Sequence, residues 1–468
     1  IKPWFDGELA FSLGALPKPG SLMTGDASAM SSLRALVLVS IKDPAAAQAW
    51  FDAAIAKTGA KTTSETYNGA TLSVFEPSGG VTGALALIDG KVAVAGDITS
   101  VKAAIDAGGS GAFAGQPGPK AALDAASKDH IGFVYVALRP LLEWSNEVNL
   151  FIPQPSGAPT TAMSEAMLKA IPDWGAFSLR FERDALVMEA VAPKPAVAIG
   201  PTDNRASTIV EHVPASALVV AVGHDYGKTL KQGLDLYRSE PSLKPMLDQL
   251  DGALGLVGGE DAALGWAGDV AIVISNPDGG PEGGLVVTPT DAAAARQLFT
   301  SLRSFIALGG SQQGITVRDE TYNGTTITII DLGDLAKLTG MAGAATVLPV
   351  TSGHLEIAYA VTDQVVVIGS GPGFVKHVLD TTKETSLASN PRYTSLADRA
   401  GTGTGTTFVD LTAIREAFEK AAMGSAQAAD LAKYERDIKP FLVPFDALIG
   451  SGSVNGDMTR TVVYITVK

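Results

Sequence analysis

Glu65-Thr-Tyr-Asn-Gly69 recurs as Glu320-Thr-Tyr-Asn-Gly324, and the blocks around the two copies match in the same order. Asp43-Pro-Ala-Ala-Ala-Gln-Ala-Trp-Phe51 corresponds to Asp291-Ala-Ala-Ala-Ala-Arg-Gln-Leu-Phe299. Lys91-Val-Ala-Val-Ala-Gly96 corresponds to Gln364-Val-Val-Val-Ile-Gly369, and Val101-Lys-Ala-Ala-Ile-Asp106 to Val375-Lys-His-Val-Leu-Asp380. Phe133-Val134 matches Phe408-Val409, and the closing strand around Leu186–Val191 matches the one around Thr461–Thr466. Collinear matches of this kind are the mark of two diverged copies of one module in tandem.

Each block has a local physical reading. A β-branched run precedes Asp43 and Asp291, whose carboxylates are placed to accept from free helix N–H groups as N-caps. Pro44 follows at the first helical position, where its missing N–H costs nothing. Tyr-Asn-Gly separates two short strands, and Asn-Gly supplies the positive φ angles of a tight hairpin. A second hairpin turns at Asp89-Gly90 in one copy and at Thr362-Asp363 in the other. Its second strand runs through glycine into a helix. A strand at Phe133 or Phe408, a helix with apolar spacing at Leu411, Ile414 and Phe418, and a final strand pair complete the module. Most connections are hairpins rather than crossovers, so the pattern predicts an α+β fold: two homologous modules, each a mainly antiparallel sheet with helices packed on one face.

The Pro/Gly-rich stretch Ala192-Pro-Lys-Pro-Ala-Val-Ala-Ile-Gly-Pro-Thr-Asp-Asn204 has the spacing of a connector. The expected division is a first module over 1–195, a linker over 196–207 and a second module over 208–468. Trp4 aligns with Trp266, but the second copy has an extra strand, Ala217–Val222, and helices ahead of Trp266. The alignment therefore predicts a matching strand and helix upstream of Ile1, preceded by an export signal or anchor.

Composition narrows the function. Of 468 residues, 46% are hydrophobic and 18% charged, as in a folded chain with a lightly charged surface. The net charge of −14 and the absence of a Lys/Arg cluster argue against nucleic acid and anionic lipid as partners. With no cysteine there is no disulfide, thiolate nucleophile or Cys-based metal site, and export to an oxidising compartment is favoured. No apolar run approaches the roughly 20 residues of a membrane-spanning helix.

Candidate chemistry reads as structure. Gly369-Ser-Gly-Pro-Gly-Phe374 follows a strand like a dinucleotide loop, but the third glycine of that motif is Phe374 and Pro372 lacks a donor. The first copy has Gly96-Asp-Ile-Thr-Ser100 there, with a carboxylate where a phosphate would sit. Gly223-His-Asp-Tyr-Gly-Lys-Thr229 is a P-loop short of one glycine, since position 222 is valine, and Asp225 would repel phosphate. His130, His212, His224, His354 and His377 show no metal-ligand spacing. No serine stands in a nucleophile elbow. Glu260-Asp261, and Glu182 with Asp184, are glycosidase acids only by imagination, and solvated faces by base expectation. Trp4, Trp50 and Trp266 are expected in the core, and Trp144 and Trp174 are candidates for surface contacts. The sequence thus assigns no catalytic residue, no cofactor-binding residue, no metal ligand and no cofactor.

Lys2-Pro-Trp-Phe-Asp-Gly-Glu8, Thr66-Tyr-Asn-Gly69 with its copy, and Ser386-Leu-Ala-Ser-Asn-Pro-Arg-Tyr393 resemble the bacterial exported proteins grouped as domain-of-unknown-function family 3352. Members carry an N-terminal signal or anchor, and the family brings no activity to transfer. The expectation is a non-catalytic extracytoplasmic protein of the cell envelope, periplasmic or secreted, anchored through any upstream segment. It would bind a protein partner or self-assemble as a structural subunit. The alternatives are a hydrolase of an envelope polymer and a soluble ligand-binding protein with its site between the modules.

Overall fold

Both Asn-Gly pairs turn hairpins: Asn68 and Gly69 lie at φ 46° and 83°, Asn323 and Gly324 at 49° and 80°, the left-handed geometry a two-residue turn requires. The computed structural model describes residues 3–23, 32–76, 82–107, 112–151, 163–277, 280–310, 314–334, 354–423 and 428–468. Lys2 of the opening motif lies outside them. Residues 1–125 with 137–163 form one compact unit, and residues 126–136 with 164–468 form the other.

In the first unit β1 (Phe5–Leu13), β2 (Ala35–Ile41), helix α1 (Pro44–Lys57), β3 (Lys61–Tyr67), β4 (Ala70–Glu76), β5 (Gly83–Ile88), β6 (Val92–Asp97) and helix α2 (Ile98–Asp106) follow in order. The strands form one antiparallel sheet ordered β1-β2-β6-β5-β4-β3. Asp43 caps α1 by accepting from the Ala46 N–H at 3.0 Å, with Pro44 at the first turn. Asp89 and Gly90 turn the β5–β6 hairpin with φ of 51° and 63°.

Helices lie on both faces of this sheet, which corrects the expectation of one. Ala93 packs with Trp4, Ile41 and Ala47 of α1, whereas its neighbour Val94 packs with Leu72, Ala84, Ala86 and Val101 of α2. Successive strand residues point to opposite faces. The unbroken apolar run Val92–Ala95 has no polar side to give to water, so both faces need cover.

The second unit continues with β7 (Gly132–Val136), β8 (Gly175–Glu182), β9 (Ala185–Pro193), β10 (Ala217–Gly223), α3 (Tyr226–Arg238), β11 (Ala267–Ser275), β12 (Glu282–Pro289) and α4 (Ala292–Gly309). Then come β13 (Thr316–Tyr322), β14 (Thr325–Asp334), β15 (His354–Val361), β16 (Val366–Gly369), α5 (Pro372–Leu379) and α6 (Pro391–Ala400). The chain ends with β17 (Gly405–Val409), α7 (Leu411–Met423), β18 (Phe445–Asn455) and β19 (Met458–Val467). Thirteen strands form one antiparallel sheet, β13-β14-β15-β16-β12-β11-β10-β17-β18-β19-β9-β8-β7. Again both faces carry helices. Val286 joins the core built with Phe374 and Val375 of α5, while Val287 joins the one built with Leu298 and Phe299 of α4.

The order β13-β14-β15-β16-β12-β11 reproduces β3-β4-β5-β6-β2-β1 strand for strand. Beyond it the copies part. In the second copy β10 stands between β11 and β17. In the first copy their counterparts β1 and β7 each end a sheet. The closing strands of the copies, β9 and β19, are antiparallel neighbours, with Met188 opposite Val463. Strands β7 to β9 thus extend the second unit's sheet, so the repeat copies and the compact units divide the chain at different places. Pairing of β9 with β19 spans more than half the chain and leaves no local sequence signal.

Candidate functional site

The repeated blocks meet in space. The Tyr67 hydroxyl donates to Asp106 Oδ2 at 2.8 Å and Asn68 Nδ2 donates to Asp106 Oδ1 at 2.6 Å. Lys102 pairs with Glu65 at 2.6 Å and lies over the Tyr67 ring. In the second copy Tyr322 and Asn323 donate to Asp380 at 2.6 and 3.1 Å, and Lys376 pairs with Glu320 at 2.6 Å over the Tyr322 ring. The pentapeptide therefore clasps the helix that follows the second hairpin, α2 or α5. Conserving one half of the clasp between the copies conserves the other, and its role is structural.

The glycine loops are likewise consumed by packing. A Cβ on Gly369 would sit 2.5 Å from the Phe374 ring, and one on Gly96 2.2 Å from the Ala35 carbonyl. Ser370 Oγ accepts from the Gly283 N–H at 3.1 Å. In the first copy Asp97 caps α2, accepting from Ser100 N at 3.0 Å, and takes the Ala35 N–H as well at 3.0 Å. Burial pushes its carboxyl up, but the Ser100 and Ala35 bonds outweigh this and hold it below the usual range. The position where a dinucleotide phosphate would rest is a helix cap.

At the Gly223 loop, Asp225 adopts φ 51° and faces Arg205, whose guanidinium reaches Asp225 at 3.1 Å and Asp269 at 2.6 Å. Asp269 also accepts from Ser207 at 2.6 Å and lies 3.0 Å from Nδ1 of the buried His224. Burial raises the Asp269 pKa, yet the bonds from Ser207, His224 and Arg205 together hold it below the ordinary value. Gly227 is required because a Cβ there would fall 1.9 Å from the Leu264 carbonyl. The loop is closed by the protein's own charges and its glycine is a close-packing residue, so nothing is left to cradle a phosphate.

The histidines do not converge. His130 Nδ1 contacts the Ser127 carbonyl at 2.5 Å, His212 lies in a short turn where burial pushes its pKa down, and His354 is the first residue of β15. His377 Nδ1 lies 2.7 Å from Glu282 at the rim of an open depression of about 440 Å³, also bordered by Pro214 and Asp380. The Ser275 hydroxyl donates to the same Glu282 oxygen at 3.1 Å and not to the ring, whose one side-chain partner among the described residues is Glu282, so His377 is not placed as the base of a hydroxyl nucleophile. Asp380 at the same rim is already spent on Tyr322 and Asn323. Among the described residues no three His, Asp or Glu side chains gather as a metal site.

The acids singled out by sequence are ion-paired. Arg399 binds Glu182 at 2.6 Å and Asp184 at 2.9 Å, and this bonding holds both carboxyls below their usual range. Arg238 binds Glu260 at 2.6 Å, and Lys231 pairs with Asp261 and lowers its pKa. A glycosidase acid needs the opposite shift. Among the tryptophans, Trp4 and Trp266 are buried as expected. Trp50 is not: it is 40% exposed and leans on Trp4 with ring centroids 5.2 Å apart, whereas its counterpart Leu298 is buried. Trp174 is buried rather than at the surface, and Trp144 donates its indole N–H to the Pro17 carbonyl at 2.7 Å.

An inversion in β8 and β9 was not legible in the sequence. Ser178, Arg180 and Glu189 point inward and are buried, while Phe177 and Phe181 on the alternate positions are 52% and 65% exposed. The inward charges are ion-paired: Arg180 meets Glu189 at 3.3 Å and Glu182 at 2.8 Å, and Arg460 lies 2.7 Å from Glu189. Strand registers place Phe181, Leu186, Ile465, Leu448, Val409, Val219 and Ile274 in one row on the face opposite Arg180, with Phe181 and Ile274 exposed at its two ends and the five between them half-buried. The row crosses seven strands, about 29 Å at roughly 4.8 Å per strand. Val134, Met188 and Ile272 lie exposed on the same face.

No helix among the described residues is long and apolar enough to cross a membrane. No curated protein and no solved structure matches the chain. Residues 1–329 match the family described as "Protein of unknown function (DUF3352)", a span that runs through the first copy and into the second. The chain belongs to that family.

Proposed function

We propose that this is a non-catalytic, extracytoplasmic protein of the cell envelope that acts as a binding or structural subunit, docking a protein partner or a further copy on the apolar outward face of the second unit's sheet. The inversion in β8 carries the reading. A strand with one solvated face places its apolar residues inward, yet here Phe177 and Phe181 face out and Arg180 faces in. Exposed apolar side chains at both ends of the row, with Val134, Phe177, Met188 and Ile272 beside them, are the mark of a surface that is covered in use. The lack of cysteine supports placement outside the cytoplasm. A hydrolase of an envelope polymer would need an acid with a raised pKa or an activated nucleophile, and Glu182, Asp184 and Asp261 are shifted the other way.

Isolation of the protein from its native envelope tests this. The expected result is recovery in the envelope or secreted fraction, in an assembly larger than the monomer. A cytoplasmic monomer without a companion would overturn it.

A further inference from the structure

We propose that the outer edge of β1 is a strand-acceptor site, filled by an extended, uncharged Val/Ala-rich strand equivalent to β10. The inference stands on the internal repeat and not on the assembly reading above. In the second copy β11 pairs on one side with β12 and on the other with β10, Ala-Leu-Val-Val-Ala-Val-Gly, over Ala217–Gly223. In the first copy β1 pairs with β2, and among the described residues no strand takes its other edge.

Burial shows what that edge lacks. Val39 and Val287 each stand four residues before the capping aspartate, and they pair with Leu9 and Val270. Register then matches Ala10 with Ala271 and Ser12 with Val273. Ala271 and Val273 are both 0% exposed, whereas Ala10 and Ser12 are exposed. On the opposite face of β1, Leu9, Phe11 and Leu13 are 68%, 64% and 54% exposed.

Edge strands are ordinarily protected by charge, proline or brevity. The other edge of this sheet follows that rule, since β3 reads Lys-Thr-Thr-Ser-Glu-Thr-Tyr. Strand β1 follows it only in its first half, where Asp6 and Glu8 flank an irregular stretch of its pairing with β2; Leu9-Ala-Phe-Ser-Leu13 has neither charge nor proline and leaves the backbone groups of its outer edge without a strand partner among the described residues. The occupant is specified by the copy that has it. It is an antiparallel strand that donates and accepts on both edges and presents small or β-branched side chains to the core.

The test uses the intact protein and a labelled peptide of residues 216–223 with a solubilising tail, read by anisotropy and by amide hydrogen exchange. The expected result is saturable binding, with exchange across Phe5–Leu13 slowed about tenfold or more and β3 unchanged. A peptide with Val220→Pro, which removes a ladder donor, should neither bind nor protect. Unchanged exchange in β1 at saturating peptide would overturn the proposal. So would equal protection by the proline peptide, or protection of β1 without peptide that grows with protein concentration, which would mean that β1 pairs with another copy of itself.

Discussion

The Tyr67 hydroxyl donates to Asp106 at 2.8 Å just as the Tyr322 hydroxyl donates to Asp380 at 2.6 Å. The same five-residue hairpin therefore grips the same helix in both copies. Replacing Asp106 by Ala removes the acceptor of Tyr67 and Asn68 and is expected to lower the melting temperature of the first unit while sparing the second. Asp380→Ala should do the reverse, and hydrogen exchange in β3–β4 against β13–β14 separates the two. The bond to Asp106, with some desolvation and its negative charge, raises the Tyr67 pKa, and Asp380 acts likewise on Tyr322. A raised folded pKa means that the clasp contributes in full below the ordinary tyrosine value of about 10. That contribution is lost as pH rises through the folded value. Spectrophotometric titration should show Tyr67 and Tyr322 among the late tyrosines, beside Tyr135, Tyr359, Tyr393 and Tyr434, with one fewer late tyrosine in Asp106→Ala.

Gly69 and Gly324 hold φ of 83° and 80°, and a Cβ at either would meet nothing within 4 Å. The cost of Gly69→Ala or Gly324→Ala is therefore purely conformational, about 1–2 kcal/mol each. Urea denaturation should show this loss at both sites with an unchanged m-value.

Asp269 joins Arg205, Ser207 and His224, and those bonds hold its pKa down against burial. With the folded value depressed, its stabilisation is present above the ordinary aspartate pKa of about 3.9. It is lost as pH falls through the folded value. Asp269→Asn should cost about 1.5–3 kcal/mol at neutral pH, and the gap to the native protein should close in acid. A gap that is constant with pH would contradict the assigned charge state.

The Gly223 loop makes a paired prediction. Gly227→Ala brings a Cβ against the Leu264 carbonyl and should cost about 1–3 kcal/mol by overpacking. Exposed Lys228→Ala should leave stability within about 0.5 kcal/mol. A phosphate cradle would behave differently, with Lys228 governing a stabilisation of the protein by added nucleotide. Thermal melts with and without nucleotide distinguish the two.

What was legible in the sequence was local. Asp43 and Asp291 announce helix starts, Asn68-Gly69 and Asn323-Gly324 announce turns, and each does what its chemistry demands. The acidic counterpart Asp97 also revealed the Gly369 loop as a strand-to-helix turn. Non-local facts were hidden. Nothing in Leu186–Val191 says that it will pair with Thr461–Thr466, because backbone pairing carries no side-chain signature. The alternation Phe177-Ser-Leu-Arg-Phe181 reads as apolar-in and polar-out. It came out inverted, with Arg180 received in the interior by Glu189, eight residues beyond Phe181, which Arg460 from a strand distant in sequence also pairs. The candidate interaction face could not be read from sequence for that reason.

In the proposed function the outward face around Phe177 and Phe181 is covered in the working protein. The most direct test of this is the mass in solution of the native protein, extracted without crosslinking, beside a Phe177→Glu/Phe181→Glu variant expressed in the same source. Both side chains are exposed, so the variant should keep its melting temperature within a few degrees. The native protein should sediment as an assembly and the variant at monomer mass. A native protein at monomer mass, or a variant that assembles as the native protein does, would contradict docking on this face.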